Sequence, residues 1–247
     1  MTQENRPVAL ITGAAQRIGA TIAHSLHQCG MDIALHYHRS QAPAETLKEA
    51  LEQERADSVR LIQADLNEPE QLADIIQQID QWRGRLDLLV NNASSFYPTP
   101  LEQLSFQQWD DLMGINLKAP FFLATAAVPL LRTSRGAIIN LVDIHAERPL
   151  KHHPVYSMAK AGNAMMVKSL ARELGPEIRV NGVAPGAILW PQQELGEQTK
   201  REIISRTALE RSGTPQDIAR TVRFLALDAP YITGQIITVD GGRSVQQ

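Results

Sequence analysis

One cysteine, Cys29, occurs in 247 residues. An intrachain disulfide and a multi-cysteine metal site are thereby excluded, and a reducing, cytoplasmic compartment is the expectation. Excess positive charge is also missing, since the formal net charge is -3. A nucleic-acid surface would need clustered surplus Lys and Arg, so no nucleic-acid partner is expected. No apolar run approaches the ~18 residues needed to cross a bilayer, and no membrane partner is expected. The opening residues, Met1 to Gly13, enter a strand pattern without a basic region and a long apolar stretch, so a signal peptide is not expected. Repeats, low-complexity tracts and linker-like stretches are lacking too, which points to one domain over residues 1–247.

What is present is an ordinary globular balance, 43% hydrophobic and 21% charged residues, enough for a sizeable core. Apolar runs at 8–13, 31–38, 58–66, 86–93, 136–143, 178–186 and 234–242 read as about seven strands. The stretches 17–30, 43–55, 69–84, 105–132, 155–175 and 214–228 read as helices. The last opens at Thr214, with Asp217 three residues on, a capping pattern. Strands that are apolar throughout, with a helix after nearly every one, argue for a parallel sheet covered on both faces. The expected fold is a Rossmann-type, doubly wound α/β sheet. Ligands of such sheets lie beyond the carboxyl ends of the strands, so functional residues are sought there.

The first strand end carries Gly13 and Gly19, spaced for a tight turn and close helix packing. A helix start offers unpaired N–H groups and a positive dipole end, which suits a pyrophosphate. Enzymes that use NAD carry an acid at the end of the second strand, where it binds the ribose hydroxyls. Here that place reads His36, Tyr37, His38, Arg39, Ser40. An acid would repel a 2′-phosphate, whereas Arg39, a hydroxyl and Arg17 in the glycine loop attract one, so the expected cofactor is NADPH. Tyr156 and Lys160, four residues apart, share one helix face. An ammonium near a phenol is expected to lower its pKa and ready it for proton transfer. His36 and His38 lack further ligands, so no metal is expected. Cys29, Met158, Met165 and Met166 read as packing or interface residues, and His24 and His27 as surface or packing residues.

Thr12 to Gly19, Asn91-Asn92-Ala93, Asn116, Tyr156 with Lys160, Pro185-Gly186 and Asp240-Gly241-Gly242 occur in one order. In that order the chain resembles the short-chain dehydrogenase/reductase family over essentially its whole length. The resemblance implies that Asn116 supports a proton-relay water and that Lys160 also binds the nicotinamide ribose. It implies that Asn91 to Ala93 lie along the adenosine side, and that Pro185 and Gly186 lie beside the nicotinamide. With them, Ile18, Asp65, Leu66 and Ile188 complete the expected cofactor contacts. Family members commonly assemble as tetramers through the long helices after strands four and five. Small residues in 159–166 allow close helix contact, so a homotetramer is expected.

Two positions depart from the common pattern. Arg17 replaces the middle glycine of the loop, and Asp143 replaces the usual serine at the end of the fifth strand. A serine donates to a carbonyl oxygen; an ionised carboxylate cannot donate and would repel a developing oxyanion. That favours a nitrogen heterocycle with a C=N bond over a simple ketone. Residues 13–19, 36–40, 91–101 and 142–160 also resemble the pteridine reductases, which use NADPH to reduce dihydropterins and in some cases folates. By this resemblance Arg17, His38, Arg39 and Ser40 line the adenosine phosphate pocket. Ser94 contacts the cofactor phosphate and the pterin, Phe96 stacks the pterin against the nicotinamide, and Asp143 and Tyr156 carry the proton transfer. Arg17 would touch the substrate as well. His152 and His153 stand where the parasite enzymes tend to have an aromatic residue, and the segment about 187–212 is compact for a substrate lid, with Leu189 and Trp190 as pocket walls. Two other readings stay open at this point: a carbonyl or 3-oxoacyl-thioester reductase of the same family, and a cofactor-sensing binding protein without turnover.

Overall fold

In the computed structural model, which describes residues 6–189 and 196–245, the apolar runs pair as a seven-stranded parallel sheet. The strands are β1 (Val8–Ile11), β2 (Asp32–Tyr37), β3 (Val59–Gln63), β4 (Leu88–Asn91), β5 (Ala137–Leu141), β6 (Arg179–Pro185) and β7 (Ile236–Val239). Their order is β3-β2-β1-β4-β5-β6-β7. The helices are α1 (Arg17–Gln28), α2 (Gln41–Glu54), α3 (Pro69–Arg83), α4 (Phe106–Met113), α5 (Ala119–Ser134), α6 (Pro154–Leu174), α7 (Glu197–Ser205) and α8 (Pro215–Arg223).

Alternate residues of a strand point to opposite faces, so each strand feeds two cores. Ala9 and Ile11 join Ile22 and Leu26 of α1 and Ile218 and Val222 of α8. Val8 and Leu10 join Ile75 and Ile79 of α3 and Leu123 and Leu131 of α5. Burying each such Leu or Ile contributes about 1.5–3 kcal/mol, and with both faces covered the central strands carry no polar alternation. At the amino end of β2 the buried Asp32 carboxylate is held by Arg6 at 3.1 Å and Arg83 at 2.9 Å. The chain leaves the sheet at β3 and returns as β4 on the other side of β1, which makes a switch point between β1 and β4.

The elements differ from the sequence expectation in ways with local causes. Hydrogen-bonded pairing stops at Ile11, Gln63 and Asn91, short of the apolar runs that continue past them. The extra residues, among them Thr12, Gly13, Leu66 and Ala93, leave the sheet and build the loops at its carboxyl edge. The helical stretch 105–132 is interrupted by a π-helical turn, Gly114–Lys118, around the buried Asn116. Ser105 caps α4 with a box that includes Gln108, and Thr214 caps α8 with Asp217 as expected. α7 lies within the expected lid and buries none of its residues, so no apolar periodicity betrays it. Trp190 lies outside the described residues. Cys29 is exposed at the end of α1, contrary to a packing role. Met166 is buried, but Met158 and Met165 are exposed on α6. Gly162 of the small-residue stretch faces Leu117 of its own chain, where a Cβ would lie 2.8 Å from Leu117 Cδ2. Phe106–Ser134 is long enough to span a bilayer and contains an 18-residue stretch of mean hydropathy 1.4. Its side chains Leu123, Ala124, Ala127 and Leu131 are instead buried in the core beside α3.

One buried histidine ties three strand ends together. His36 Nδ1 accepts from the Gly13 N–H at 3.1 Å, so Nε2 carries the proton and donates to Ala64 O at 3.1 Å. Burial pushes its pKa down to about 4, from an ordinary 6.5. The unfolded chain therefore binds a proton that the folded chain refuses between these values. Stability from this group is fully present above pH about 6.5 and is lost as pH falls toward 4, by about 3 kcal/mol. Denaturant unfolding across this range is expected to show that slope in the wild type. His36→Asn, which keeps an acceptor near the Nδ1 position but cannot titrate, is expected to flatten it.

Candidate active site

The loop after β1 is held open by its neighbours. Gly13 has φ +61, and a Cβ there would lie 3.1 Å from Ala93 Cα. A Cβ on Gly19 would overlap the Gly13 carbonyl and lie 2.6 Å from Asn92 Nδ2. Thr12 Oγ1 accepts from the N–H groups of Asn92 and Ala93, each at 3.0 Å. Asn92 Nδ2 donates back to Thr12 O at 2.8 Å and Gly13 O at 3.1 Å. The two strand ends at the switch point are thus locked to each other. α1 starts behind this loop with no side-chain cap from Gln16 and no acid in its first turn. Its leading N–H groups and dipole remain available to an anion. Arg17 stands where a glycine is usual and takes φ +54, a left-handed conformation that costs a non-glycine residue about 1 kcal/mol or more.

At the end of β2, Arg39 is exposed and Ser40 precedes α2 without using its hydroxyl as a cap. His38 Nε2 lies 3.5 Å from Asp65 Oδ2, so the one acid in this region faces a histidine. Leu66 is buried beside them.

The reactive groups meet across β4, β5 and α6. Tyr156 Oη donates to Asp143 Oδ2 at 2.8 Å. Asp143 Oδ1 accepts the His145 N–H at 2.8 Å and so caps the short turn Ile144–Ala146, which fixes the carboxylate. The Ser94 hydroxyl reaches Tyr156 and donates to Asn116 Oδ1 at 2.6 Å. Asn116 Nδ2 donates to Ser95 O and Leu112 O, both at 3.0 Å. Behind it runs a chain of buried amides. Asn91 Nδ2 donates to Asn140 Oδ1 at 2.9 Å, Asn140 Nδ2 to Asn163 Oδ1 at 3.0 Å, and Asn163 Nδ2 to Asn116 O at 2.8 Å. Lys160 Nζ donates to Leu141 O at 2.9 Å and lies 5.7 Å from the Tyr156 ring centroid.

These contacts reverse one expectation. Burial and the Asp143 carboxylate push the Tyr156 phenol well above its ordinary pKa, so Lys160 does not win. The phenol stays protonated at neutral pH and is a poised donor rather than a phenolate. Burial also pushes Lys160 down to about 8, opposed by Asp143.

A cavity of about 170 Å³ opens above this cluster. Arg17 and Ile18 enter it from the glycine loop, and Asn92 and Ser94 from the end of β4. Leu141, Val142 and Asp143 line it from β5, and Tyr156 and Lys160 from α6. Pro185, Gly186, Ile188 and Leu189 close it from β6. Asn116 is fully buried and meets the site through its hydrogen bond from Ser94 instead of lining the wall. Phe96 sits at the rim, 46% exposed, edge-to-face with Tyr156 at 4.9 Å. Two residues in this assembly carried no functional mark in the sequence: Asn140 and Asn163 are ordinary polar residues whose roles appear only once the strands and α6 converge.

Residues 13–244 match the family model described as Enoyl-(Acyl carrier protein) reductase. Pteridine reductase 1 of Leishmania tarentolae is 34% identical over an alignment of 287 positions that covers 99% of this chain and 98% of that protein. The chain belongs to the short-chain dehydrogenase/reductase family. The 3-oxoacyl-(acyl-carrier-protein) reductase FabG of Staphylococcus aureus is 39% identical over 238 residues, 95% of this chain and 96% of that protein. Granaticin polyketide synthase putative ketoacyl reductase 2 of Streptomyces violaceoruber is 32% identical over 243 residues, 96% of this chain and 95% of that protein. This member is an oxidoreductase of a family that works with nicotinamide cofactors. The loop fits such a group: it packs so closely on Asn92 and Ala93 that a Cβ at Gly13 or Gly19 would clash, and the first N–H groups of α1 carry no side-chain cap.

Arg17 combines backbone strain with a position on the cavity wall. Arg17→Gly is expected to stabilise the fold by about 1 kcal/mol in denaturant unfolding, by releasing the left-handed strain. The same variant is expected to bind the phosphorylated nicotinamide cofactor about tenfold more weakly in fluorescence titration.

Proposed function

We propose that this reductase takes NADPH and reduces dihydropterins of the dihydrobiopterin or dihydromonapterin type, with dihydrofolate as a second candidate substrate. The observation that carries the reading is the Asp143 carboxylate on the cavity wall, accepting from the Tyr156 phenol. A carboxylate there complements the ring N–H and amino groups of a pterin and opposes the alkoxide of a carbonyl reduction.

The reduced nicotinamide, when bound, supplies a hydride to one carbon of a C=N bond. The chain's own residues then manage the nitrogen. Tyr156 holds a proton that burial keeps in place, and it passes that proton to the nitrogen as the carbon accepts the hydride. Asp143 accepts N–H groups of the substrate and orients the ring. Ser94 and Asn116 form the path by which Tyr156 is reprotonated. Lys160 would hold the nicotinamide ribose, and its charge offsets the phenolate that forms. Arg17, His38, Arg39 and Ser40 would receive the 2′-phosphate of the adenosine, which supports NADPH over NADH. Asp65, Leu66, Asn92, Ala93, Pro185, Gly186 and Ile188 would complete the cofactor bed. Phe96, Ser94 and Leu189 would bound the pterin. The exposed Phe121, Phe122, Met158 and Met165 on α5 and α6 support assembly into a homotetramer, and the single cysteine supports a cytoplasmic setting.

One observation favours a second reading, a 3-oxoacyl-thioester reductase: the identity to the Staphylococcus aureus FabG equals or exceeds that to the pteridine reductase. NADPH oxidation with dihydrobiopterin, dihydromonapterin, dihydrofolate and an acetoacetyl thioester separates the two. The dihydropterins are expected to give the highest kcat/KM. Asp143→Ser is expected to lower that value about 100-fold or more while leaving thioester turnover equal or raised. Faster thioester turnover by the wild type, with Asp143→Ser neutral toward pterins, overturns the proposal.

Lys160 adds a pH limit. Its ammonium is lost in the free enzyme as pH rises through about 8. The kcat/KM for NADPH, which reports groups of the free enzyme, is therefore expected to fall on the alkaline side with an apparent pKa near that value. An unperturbed lysine would place the fall near 10.4.

A further inference from the structure

His153 stands just before α6, three residues ahead of Tyr156. Its imidazole lies flat on Phe96, with ring centroids 4.7 Å apart and an interplanar angle of 11°. Nδ1 donates to Lys151 O at 2.9 Å, which fixes the ring's orientation. A second tie lies alongside, where the Thr99 N–H donates to His152 O at 2.6 Å. His152 takes φ +64 to present that carbonyl. The loop that carries Phe96 is therefore clipped twice to the turn that starts the catalytic helix. One face of Phe96 is taken by the imidazole, so a planar substrate is left with the opposite face.

We infer that His153 is a positioning residue for flat substrates: it holds the Phe96 ring in the attitude that receives a heteroaromatic ring and so sets the enzyme's preference for planar substrates over extended ones. This rests on the proposed pterin reaction. The stack acts on rotamer freedom. An exposed Phe on a loop samples several orientations, and stacking against a fixed ring selects one. A substrate that stacks on Phe96 then meets a preorganised partner. An acyl thioester, which offers no ring, gains nothing from it.

The test compares His153→Ala with His153→Phe in dihydropterin and acetoacetyl-thioester assays under saturating NADPH. A lost aromatic stack corresponds to about a three- to tenfold change. His153→Ala is expected to raise KM for dihydropterin by that factor, with kcat nearly unchanged and thioester kinetics unmoved. His153→Phe, which can stack as well, is expected to restore the wild-type KM. In a Phe96→Ala background, His153→Ala is expected to add nothing, because the effect passes through that ring. If the wild type turns over dihydropterin and His153→Ala leaves KM unchanged, or the two substitutions add fully, the inference is overturned while the functional proposal stands. If the wild type ignores dihydropterins, the functional proposal is overturned and this inference falls with it.

Discussion

The hydrogen bond from Tyr156 to Asp143 sets the chemical character of the whole cleft. Its donor cannot move far, because Tyr156 is buried on α6 above β5. Its acceptor cannot turn, because the other carboxylate oxygen caps the turn Ile144–Ala146. With both partners fixed, the proton sits on the phenol, and burial beside a carboxylate keeps it there. A serine in place of Asp143 would offer a donor to the substrate and leave the phenol free to ionise toward Lys160. The carboxylate removes that option and makes the site an acceptor beside a poised acid. The buried amides behind it serve the same end. From Asn91 through Asn140 and Asn163, each amide donates to the next and the last donates to the Asn116 carbonyl, so the π-helical turn carrying Asn116 is anchored to two strands and a helix. Within this run of amides the Asn91 carbonyl oxygen, at its start, is buried without a partner.

Stability and function divide the molecule along the strand direction. The amino ends and middles of the strands are apolar or carry satisfied pairs such as Asp32 with its arginines. The carboxyl ends hold the strained and costly features: Arg17 in a left-handed conformation, a histidine kept neutral by burial, and a lysine pushed toward neutrality. Such features persist where surrounding structure over-determines them. Here the Thr12–Asn92 lock and the His36 clamp do so. Preorganisation of this kind lets a dinucleotide's pyrophosphate meet N–H groups that are already aimed.

Much of this was legible in the sequence, for physical reasons that also mark the limits. The seven strands announced themselves because a parallel sheet buried on both faces leaves long apolar runs. The reading overran their ends because the loop residues Thr12, Leu66 and Ala93 are as apolar or small as the strands they follow. Gly13, Gly19, Tyr156 and Lys160 were visible through spacing, and Asp143 through the family resemblance, as a departure from the usual serine. The direction of the Tyr156 shift was not, since the Lys160 spacing is local while burial and the reach of Asp143 are tertiary. His36 read with His38 as part of the phosphate region, yet it is buried and clamps Gly13, because β2 runs on to Tyr37 and is covered on both faces, whereas His38 lies beyond its end. α7 escaped notice because it has no buried face to impose a period. Cys29 was misplaced because an average tendency of cysteine to pack says little about a helix end.

The same scaffold serves reductases named for different reactions, as the relatives of this chain illustrate. The sheet, the glycine loop and the Tyr–Lys pair answer demands common to all of them: hold a dinucleotide, exclude water, supply a proton. High identity over those parts therefore says little about the acceptor molecule. Substrate choice falls to the few side chains that border the cavity above the common parts, and there the relevant currency is donor against acceptor. A carbonyl asks for donors only. A pterin presents N–H groups together with a ring nitrogen that needs a proton, so it asks for an acceptor and a donor side by side. Asp143 and Tyr156 offer that combination at 2.8 Å from each other, with a ring, Phe96, edge-on to the phenol.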